Sequence, residues 1–336
     1  MVTGGLGFIG SNLVNRLVEL GASVSIVDSS ISGCGANPYN IAAVRDRVRL
    51  IPLDIADAAD FADEIHDCSL VFNLAGEISH THSMQFPERD MEINTRAQLR
   101  FLEVCRRMRP GIRVVYASTR QVYGRPQYLP VDEMHPLQPI DFNGIHKLAA
   151  AQYHLLLSNR GEIDATILRL TNIYGPRMAL DLPWQGVIGT FVRKALLGET
   201  LQVFGDGQYL RDPLFVDDVV AAFVLAGAAG RLPFRIYNVG GAKPLTLAAM
   251  AEGFARAGGH SAVCYTPFPE HRQAIDIGSF STDWSRIRRD LGWQPSVTFE
   301  DGARRTLEYY RRHLGNYLAP QASGRPRAAE AQAGRG

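Results

Sequence analysis

Short apolar stretches alternate with amphipathic stretches along the first half of the chain. The apolar stretches have the length of buried strands, and they lie near residues 22–27, 48–52, 69–74, 112–117 and 164–170. Between them, residues 92–108 and 144–159 carry apolar positions at the spacing typical of helices. This alternation predicts an α/β fold with a doubly wound parallel sheet and right-handed crossovers.

The pattern becomes less regular after residues 172–176. Helices are predicted near residues 187–197, 217–229, 246–257 and 300–313, and strands at residues 201–204 and 234–239. The last strand would return to the first sheet. We therefore expect a larger domain over residues 1–171 and about 212–239, and a smaller C-terminal substrate domain over about 172–211 and 240–316. Residues 317–336 are expected to form a disordered tail, because Ala, Gly, Pro and Arg prevail there without periodicity.

The start of the chain is unusually short for such a sheet. Only Met1 to Thr3 precede the first glycines, whereas a central first strand needs about five residues. We therefore expect further residues upstream of Met1.

Composition and charge narrow the class of protein. The formal net charge of +1 over 336 residues gives no global attraction to nucleic acid or anionic membranes. We expect no signal peptide, and no apolar run approaches the roughly 20 residues that span a bilayer. The four cysteines lack the spacing of a metal site or a disulfide framework, which indicates reduced thiols in a cytoplasmic protein with no bound metal.

The residues VTGGLGFIG at positions 2–10 predict a dinucleotide site. Glycines at Gly4, Gly7 and Gly10 interrupt the end of a strand, and a helix follows. A turn without Cβ atoms lets the backbone around Phe8 and Ile9 and the helix N-terminus face a diphosphate. The next strand ends in Asp28, whose carboxylate suits two ribose hydroxyls and repels a 2′-phosphate, so NAD is favoured over NADP.

Two further strand ends contribute to the predicted cofactor site. Asp54 and Ile55 follow the third strand, where they either pack against the adenine or begin a helix with Asp54 as its N-cap. Leu74, Ala75 and Gly76 end the fourth strand, where small residues let the second half of the cofactor pass close to the backbone.

The next strand ends with hydroxyl-bearing residues, reading YASTRQVYG at positions 116–124, and residues 139–147 read PIDFNGIHK into a helix. With the glycine turn, these motifs resemble the extended short-chain dehydrogenase/reductase family, which includes nucleotide-sugar epimerases and dehydratases. TGGLGFIG is similar to the TGxxGxxG of the family, and Asp28 to its ribose acid. Thr119 stands in the place of the catalytic hydroxyl, and Asn94 resembles the family's helix asparagine. The resemblance implies a Rossmann-type sheet, bound NAD and a nucleotide-sugar substrate.

Later segments resemble the nucleotide-sugar segments of the same family. They are NIYGP at positions 172–176, GDGQYLRD at 205–212 and FVDDVV at 215–220. The resemblance implies substrate contacts from Glu77, Ser83, Thr119, Asn172, Val187, Phe204, Arg211 and Arg272. The guanidinium groups of Arg211 and Arg272 suit a diphosphate, although a surface salt bridge is the alternative for Arg211. Asp276 either binds ribose hydroxyls or caps a turn.

One departure from the family is important for the chemistry. The YxxxK motif would place a tyrosine at position 143, but this chain has Asn143 four residues before Lys147. Lys147 can still hold the nicotinamide ribose, whereas an amide cannot carry the proton that the tyrosine carries in the family. The candidates for that proton are His80 and His82, which follow the fourth strand, and also His146, Glu77 and Tyr123. The sequence does not decide among them. The alternative for His80 and His82 is that both are solvent-exposed loop residues without a catalytic role.

Arg120 and Gln121 follow Thr119, where the dehydratase branch of the family carries Asp-Glu. Neither takes up a proton at neutral pH, which counts against a 4,6-dehydratase. We therefore expect an NAD-dependent epimerisation of a nucleotide-linked sugar through a transient keto intermediate. A ketosugar reductase or dehydrogenase and a binding protein that has lost catalysis are the alternatives.

A homodimer is expected from the two long helices. They carry more apolar positions than one sheet face needs, and family members pair such helices into a four-helix interface. The positions are Leu99, Leu102, Ile145, Leu148, Tyr153 and Leu156. The alternative is that both apolar stripes belong to the ordinary core.

Overall fold

The structure, a computed structural model, describes residues 1–318 apart from Ser32, Pro183, Gln185, His260 and Ser261, and gives only the backbone of His271 and Arg272. The strands of these ranges are β1 (Val2–Thr3), β2 (Val24–Val27), β3 (Val48–Ile51), β4 (Leu70–Asn73), β5 (Arg113–Thr119), β6 (Asp164–Leu170), β7 (Asn172–Tyr174), β8 (Leu201–Phe204), β9 (Leu210–Arg211), β10 (Pro213–Phe215), β11 (Ile236–Val239), β12 (Leu245–Thr246) and β13 (Val263–Thr266).

The helices run between and after these strands. They are α1 (Phe8–Glu19), α2 (Ala62–Asp67), α3 (His80–Gln85), α4 (Pro87–Met91), α5 (Ala97–Met108), α6 (Phe142–Asn159), α7 (Val187–Leu197), α8 (Val216–Ala228), α9 (Leu247–Gly258), α10 (Glu270–Gln273), α11 (Ser285–Leu291) and α12 (Phe299–His313). Short 3-10 segments span Pro38–Arg47, Ile55–Phe61, Arg120–Tyr123 and Leu314–Asn316. A π-helical turn, Glu92–Arg96, joins α4 to α5.

The main sheet confirms the predicted doubly wound α/β fold. Within the described residues it has seven strands in the order β11-β6-β5-β4-β1-β2-β3, and its strand pairs are parallel. The order reverses between β1 and β4, where Val2 pairs with Ile26 on one side and with Phe72 on the other. Ligands of such sheets bind at the carboxyl ends of the strands beside this reversal.

Apolar side chains cover both faces of the sheet. On one face, α1 and α8 pack together over residues such as Leu13, Val219 and Phe223. On the other face, α5 packs through Phe101 and Leu102 against residues from the 3-10 segment Ile55–Phe61 and from α2. The burial of strands on both faces explains why the sequence shows them as continuous apolar runs.

A third apolar cluster lies outside the main sheet. It gathers residues of α7, α9 and α12, including Phe191, Phe254 and Leu307, together with β8. Three two-stranded sheets, β7–β10, β9–β12 and β8–β13, are also separate from the main sheet. The division into a cofactor domain and a substrate domain stays a prediction.

The end of the described chain packs on the rest of the protein. Tyr317 is buried, and its hydroxyl donates a hydrogen bond to Asn40 Oδ1 at 2.6 Å. The ordered chain therefore includes the first two residues, 317 and 318, of the predicted disordered tail. Residues 319–336 of that tail lie outside the described residues. None of the described helices is long and apolar enough to cross a bilayer.

Candidate active site

The turn between β1 and α1 brings the helix close to two strand ends. Gly4 has a φ of 68°, in the left-handed region, and a Cβ added there would lie 2.9 Å from the backbone nitrogen of Ala75. A Cβ on Gly10 would overlap the carbonyl oxygen of Gly4. Gly7 is the N-cap of α1, and no side chain caps the helix. The first amide groups of α1, including those of Phe8, Ile9 and Gly10, therefore have no intrahelical acceptor and fit a diphosphate.

Asp28 stands just beyond β2, beside this turn. Its Oδ2 accepts a hydrogen bond from the Leu6 amide and its Oδ1 from the Ser30 amide, both at 2.9 Å. A carboxylate offers about four acceptor sites, so it can also receive ribose hydroxyls. Burial raises the pKa of Asp28, and these two backbone hydrogen bonds oppose the rise.

Asp54 acts as an N-cap, one of the two roles that the sequence left open. Its Oδ1 accepts a hydrogen bond from the Ala56 amide at 2.8 Å, and its Oδ2 accepts one from Ser29 Oγ at 3.1 Å. Ile55 is buried in the core beneath the sheet. Contact of Asp54 and Ile55 with an adenine stays a prediction.

The end of β4 meets Lys147 and Asn94. Thr3 Oγ1 accepts hydrogen bonds from the amides of Leu74 and Ala75, each at 3.1 Å, and so fixes the strand end. A Cβ on Gly76 would overlap Lys147 Nζ and would lie 2.6 Å from Asn94 Oδ1. Gly76 therefore lets both polar groups approach the backbone, and the passage of a cofactor along this strand end stays a prediction.

Lys147 is buried on α6 with its ammonium near acidic groups. Burial lowers the pKa of Lys147 to about 8, although Asp90 and Glu77 act in the opposite direction. Its Nζ lies 5.9 Å from the centroid of the Tyr116 ring. This lysine is thus poised to lose its charge just above neutral pH.

Asn143, at the position of the missing tyrosine, is fully engaged with the protein. Its Nδ2 donates to the carbonyl oxygen of Glu77 at 2.9 Å and to Asp90 Oδ2 at 3.0 Å. Its backbone amide donates to Ser83 Oγ at 3.2 Å. Both amide hydrogens of the buried side chain are therefore used to hold the loop after β4 against α6. Asn143 positions other groups and carries no proton.

His82 is enclosed. Its Nδ1 contacts Glu77 Oε1, and its ring stacks on Trp184 with centroids 4.1 Å apart and planes 16° from parallel. Arg89 Nε lies 3.6 Å from the other oxygen of Glu77. Glu77 and His82 are buried, whereas Arg89 is exposed, so His82 has little contact with solvent.

His80, two residues earlier, is more accessible. Its side chain is 35% exposed, and its Nδ1 lies 3.5 Å from Oδ2 of the buried Asp141. Asp141 also caps α6 by accepting from the Gly144 amide at 2.7 Å, and it accepts from Gln121 Nε2 at 3.2 Å. Burial opposes ionisation of Asp141, but the His80, Gly144 and Gln121 contacts outweigh it and lower its pKa. An ionised carboxylate therefore orients an accessible imidazole.

The other proton candidates have partners of their own. His146 Nδ1 lies 2.7 Å from Asp90 Oδ1. The Tyr123 hydroxyl donates to Asn238 Oδ1 at 2.6 Å and accepts from Arg169 Nη1 at 2.8 Å. Tyr123 is buried beneath the strand tip, and burial raises its pKa. Both side chains therefore already have polar partners within the protein, and a role for either in proton transfer stays a prediction.

Thr119 ends β5 and begins the 3-10 segment that follows. Its Oγ1 accepts a hydrogen bond from the Gln121 amide at 3.3 Å, and its own hydroxyl hydrogen remains to donate. Ser83 Oγ donates to the carbonyl oxygen of His80 at 2.8 Å. Ser83 thereby connects the histidine turn to Asn143.

The predicted substrate residues lie on several elements. Arg211 is buried and donates to Asp276 Oδ2 at 3.0 Å and to the carbonyl of Gly278, so it forms an internal salt bridge. Asp276 also caps a turn through the Gly278 amide.

The other predicted substrate residues lie on separate elements. Asn172 begins β7, and its buried Oδ1 has no hydrogen-bond partner among the described residues. Val187 begins α7, and the ring of Phe204 lies 5.6 Å from that of Phe268. The Arg272 side chain lies outside the described residues.

Two acidic residues of the site were missed in the sequence. Asp141 stands directly before a helix, which is the N-cap signal, and this signal could have found it. Asp90 is buried between Asn143 and His146, but its sequence context resembles that of any exposed helical acid. Among the described residues, no group of three His, Cys, Asp or Glu side chains is arranged to hold a metal ion.

Comparisons with known proteins agree with this geometry. Residues 1–240 match the sequence model of the NAD dependent epimerase/dehydratase family. The chain is 34% identical to a UDP-glucose 4-epimerase of Mycolicibacterium smegmatis, over 93% of this chain and 98% of that protein. It is similar to the solved structure of a UDP-glucose 4-epimerase from Thermotoga maritima with UDP-glucose, with a TM-score of 0.84 and 30% identity over 93% of this chain and 98% of that one. MoeE5 in complex with UDP-glucuronic acid and NAD has a TM-score of 0.79 and 28% identity, over 93% and 98%.

Proposed function

Because this chain belongs to the NAD-dependent epimerase/dehydratase family, we propose that it converts one nucleotide-linked hexose into an epimer through a transient keto sugar. Family membership confirms the resemblance that the sequence predicted, and with it NAD as the cofactor. The similar proteins act on or bind both neutral and acidic sugar nucleotides, so the choice of sugar depends on this chain's own residues.

One observation in particular supports a polar substrate at the strand ends. Several residues at or just after the ends of β5 and β6 have a buried polar atom without a hydrogen-bond partner among the described residues, namely Ser118 Oγ, Arg120 Nη1, Gln121 Oε1 and Asn172 Oδ1. Buried polar groups in folded proteins are nearly always hydrogen-bonded, so such a group of atoms marks the place of a polar ligand. A sugar with several hydroxyls supplies both the donors and the acceptors that are needed.

The cofactor would be held by groups whose geometry is already suitable. The uncapped start of α1 faces the diphosphate, Asp28 accepts the adenosine ribose hydroxyls, and Lys147 Nζ donates to the second ribose. When bound, NAD supplies reversible oxidation of the sugar carbon.

The protein must move one proton during this cycle. The Nδ1 of His80 faces Asp141, so its Nε2 is the atom that takes the proton from the reacting hydroxyl and later returns it. Asp141 orients the imidazole and stabilises its charged form. The Thr119 hydroxyl donates to the same sugar oxygen. Because the proton leaves and returns at one atom, His80 ends each turnover unchanged.

A catalytically lapsed protein that binds NAD and a nucleotide sugar is the second candidate. The observation that favours it is Asn143, whose amide cannot titrate where the family carries tyrosine. A reductase is distinguished from the epimerase by the cofactor. The epimerase should keep NAD bound through purification, whereas a reductase should release it.

The test begins with mass spectrometry of the dinucleotide released from the purified, denatured protein. The native protein is then incubated with UDP-glucose, UDP-N-acetylglucosamine and UDP-glucuronic acid without added cofactor, and epimers are measured by NMR. We expect bound NAD and turnover of at least one sugar nucleotide without added cofactor. Bound ligand without any turnover would support the lapsed protein, and turnover only with added NADH would support the reductase.

We also propose a homodimer through α5 and α6. Leu99 of α5 and Ile145 and Leu156 of α6 are 39%, 47% and 57% exposed, whereas Leu102 is buried in the core. The apolar stripes are thus partly in the core and partly on the surface.

The mass in solution tests the dimer. Light scattering should give a dimer mass at micromolar concentration. Leu156→Glu should give a monomer, and Leu225→Glu, at an exposed site on α8, should leave the dimer intact.

The expected compartment is the cytoplasm, with no nucleic-acid or membrane partner. This proposal is supported by Cys34, Cys68, Cys105 and Cys264, which are all free thiols. The nearly neutral net charge supports it as well. Fractionation of the native host cells would test it, since recovery in a membrane fraction would contradict it.

A further inference from the structure

Arg120 is a half-buried cation that forms no ion pair among the described residues. It follows Thr119 directly, at the carboxyl end of β5, and its Nη1 is buried without a hydrogen-bond partner in the described ranges. Its guanidinium lies over the Phe280 ring, with Cζ 5.1 Å from the ring centroid. A buried charged N–H group without an acceptor is unfavourable, so a ligand that supplied an acceptor there would be stabilising.

The nearby acids are occupied by other groups. Asp212 contacts Thr171 Oγ1 and accepts from the Thr282 amide at 3.1 Å. Asp276 pairs with Arg211, and Asp141 holds Gly144, Gln121 and His80. None of these carboxylates forms an ion pair with Arg120 among the described residues.

Burial and a second arginine disfavour the charged form of Arg120 in the unliganded site. Burial, and then the positive charge of Arg211, lower the pKa of Arg120 to about 9, although Asp212, Asp276 and Asp141 oppose this. At neutral pH the guanidinium is therefore still charged, and its buried Nη1 lacks an acceptor among the described residues. A carboxylate matches the two parallel N–H donors of a guanidinium.

Arg120 lies beside the proposed proton-transfer site. Its backbone neighbour Thr119 and its electrostatic neighbour Asp141 belong to the proposed proton-transfer site, where the sugar ring must lie. We propose that the substrate sugar carries a carboxylate, as a hexuronic acid does, and that Arg120 binds it. This inference rests on the proposed function and adds the class of sugar to it.

The test compares UDP-glucuronic acid with UDP-glucose, which differ only at the carboxylate. The wild-type protein should have the higher kcat/KM for UDP-glucuronic acid. In Arg120→Met, KM for UDP-glucuronic acid should rise at least about tenfold, the typical effect of losing a charged hydrogen bond, while KM for UDP-glucose changes little. Arg120→Lys should recover part of the loss, and Arg16→Met, an exposed arginine on α1, should change neither.

Stability gives a second readout for the same variant. Because Arg120 Nη1 is buried without an acceptor, Arg120→Met in the absence of sugar nucleotide should melt at or above the wild-type temperature. A lower melting temperature would show that the arginine is structural and would overturn the inference.

Three kinetic outcomes also contradict the inference. An equal rise in KM for both substrates in Arg120→Met would indicate that the guanidinium binds the diphosphate that they share. Turnover of UDP-glucose without preference for UDP-glucuronic acid would reject the carboxylate alone and leave the proposed function intact. No turnover and no binding of any nucleotide sugar would reject the proposed function, and this inference with it.

Discussion

His80 Nδ1 lies 3.5 Å from Asp141 Oδ2, and the same carboxylate caps the helix that carries Asn143 and Lys147. One acid therefore fixes both the candidate proton carrier and the helix that holds the cofactor lysine. This arrangement is the basis for the proposed proton route, which does not need the tyrosine of the family.

Asp141→Asn separates the two roles of this residue, which are to orient His80 and to cap α6. Asparagine caps helices about as well as aspartate, so we expect little change in the melting temperature. It cannot stabilise a charged imidazole, so kcat should fall about tenfold or more, part of the 10²- to 10⁴-fold that general acid–base catalysis typically contributes. Steady-state kinetics would check this, with KM and bound NAD unchanged. An unchanged kcat would show that Asp141 only caps the helix.

Restoring the family tyrosine with Asn143→Tyr should lower activity. The buried amide holds both Asp90 and the Glu77 carbonyl, and a larger ring would remove these bonds and overpack the site. We expect a loss of about 2 kcal/mol or more in the free energy of unfolding, measured by chemical denaturation. Asn159→Tyr, on the exposed end of α6, is the matched control. A large gain of epimerase activity would show instead that the enzyme had lapsed through loss of its tyrosine.

Gly10→Ala should abolish dinucleotide binding. The added Cβ would overlap the Gly4 carbonyl and push α1 away from the glycine turn. We expect the purified variant to release no NAD on denaturation and to bind NADH at least tenfold more weakly by calorimetry. Gly230→Ala adds a Cβ where no atom lies within 4 Å, so it should bind like the wild type. Normal NAD content in Gly10→Ala would contradict the proposed diphosphate site.

The affinity for NADH should fall as pH rises through about 8. Burial lowers the pKa of Lys147 to about 8 in the free protein, whereas ribose oxygens at its Nζ favour the charged ammonium. Binding therefore takes up a proton above pH 8 and becomes weaker as protons become scarce. Calorimetry of dinucleotide-free protein between pH 6.5 and 9.5 would measure this. Lys147→Gln should bind more weakly and without this dependence, and an equal slope in the variant would exclude the lysine.

The sequence predicted the fold well because its signals are local. The strand of residues 164–170 and the helix of residues 187–197 appear at the predicted bounds, since apolar spacing alone defines them. The helix predicted at residue 92 instead continues from α4 through a π-helical turn. This turn carries Asn94, whose Nδ2 donates to the Glu77 carbonyl at 3.1 Å, so a tertiary contact accompanies the irregularity.

The site was less predictable because its contacts join distant segments. His80 and His82 are equivalent as residues two positions apart, yet Trp184, about one hundred positions later, covers only His82. Asp90 meets Asn143 and His146 across more than fifty residues. Arg211 is predicted from its motif to bind a phosphate, and only the fold shows that it also pairs with Asp276. Spacing along the chain contains none of this information.

The most direct test of the account is the epimerase activity of His80→Gln on whichever sugar nucleotide the wild type converts. The variant keeps a polar side chain but cannot carry a proton, so kcat should fall about 10²- to 10⁴-fold while NAD content and melting temperature stay at wild-type values. His66→Gln, which replaces a histidine that is 65% exposed, serves as the control and should be fully active. Wild-type turnover by His80→Gln would contradict the claim that this histidine replaces the missing tyrosine.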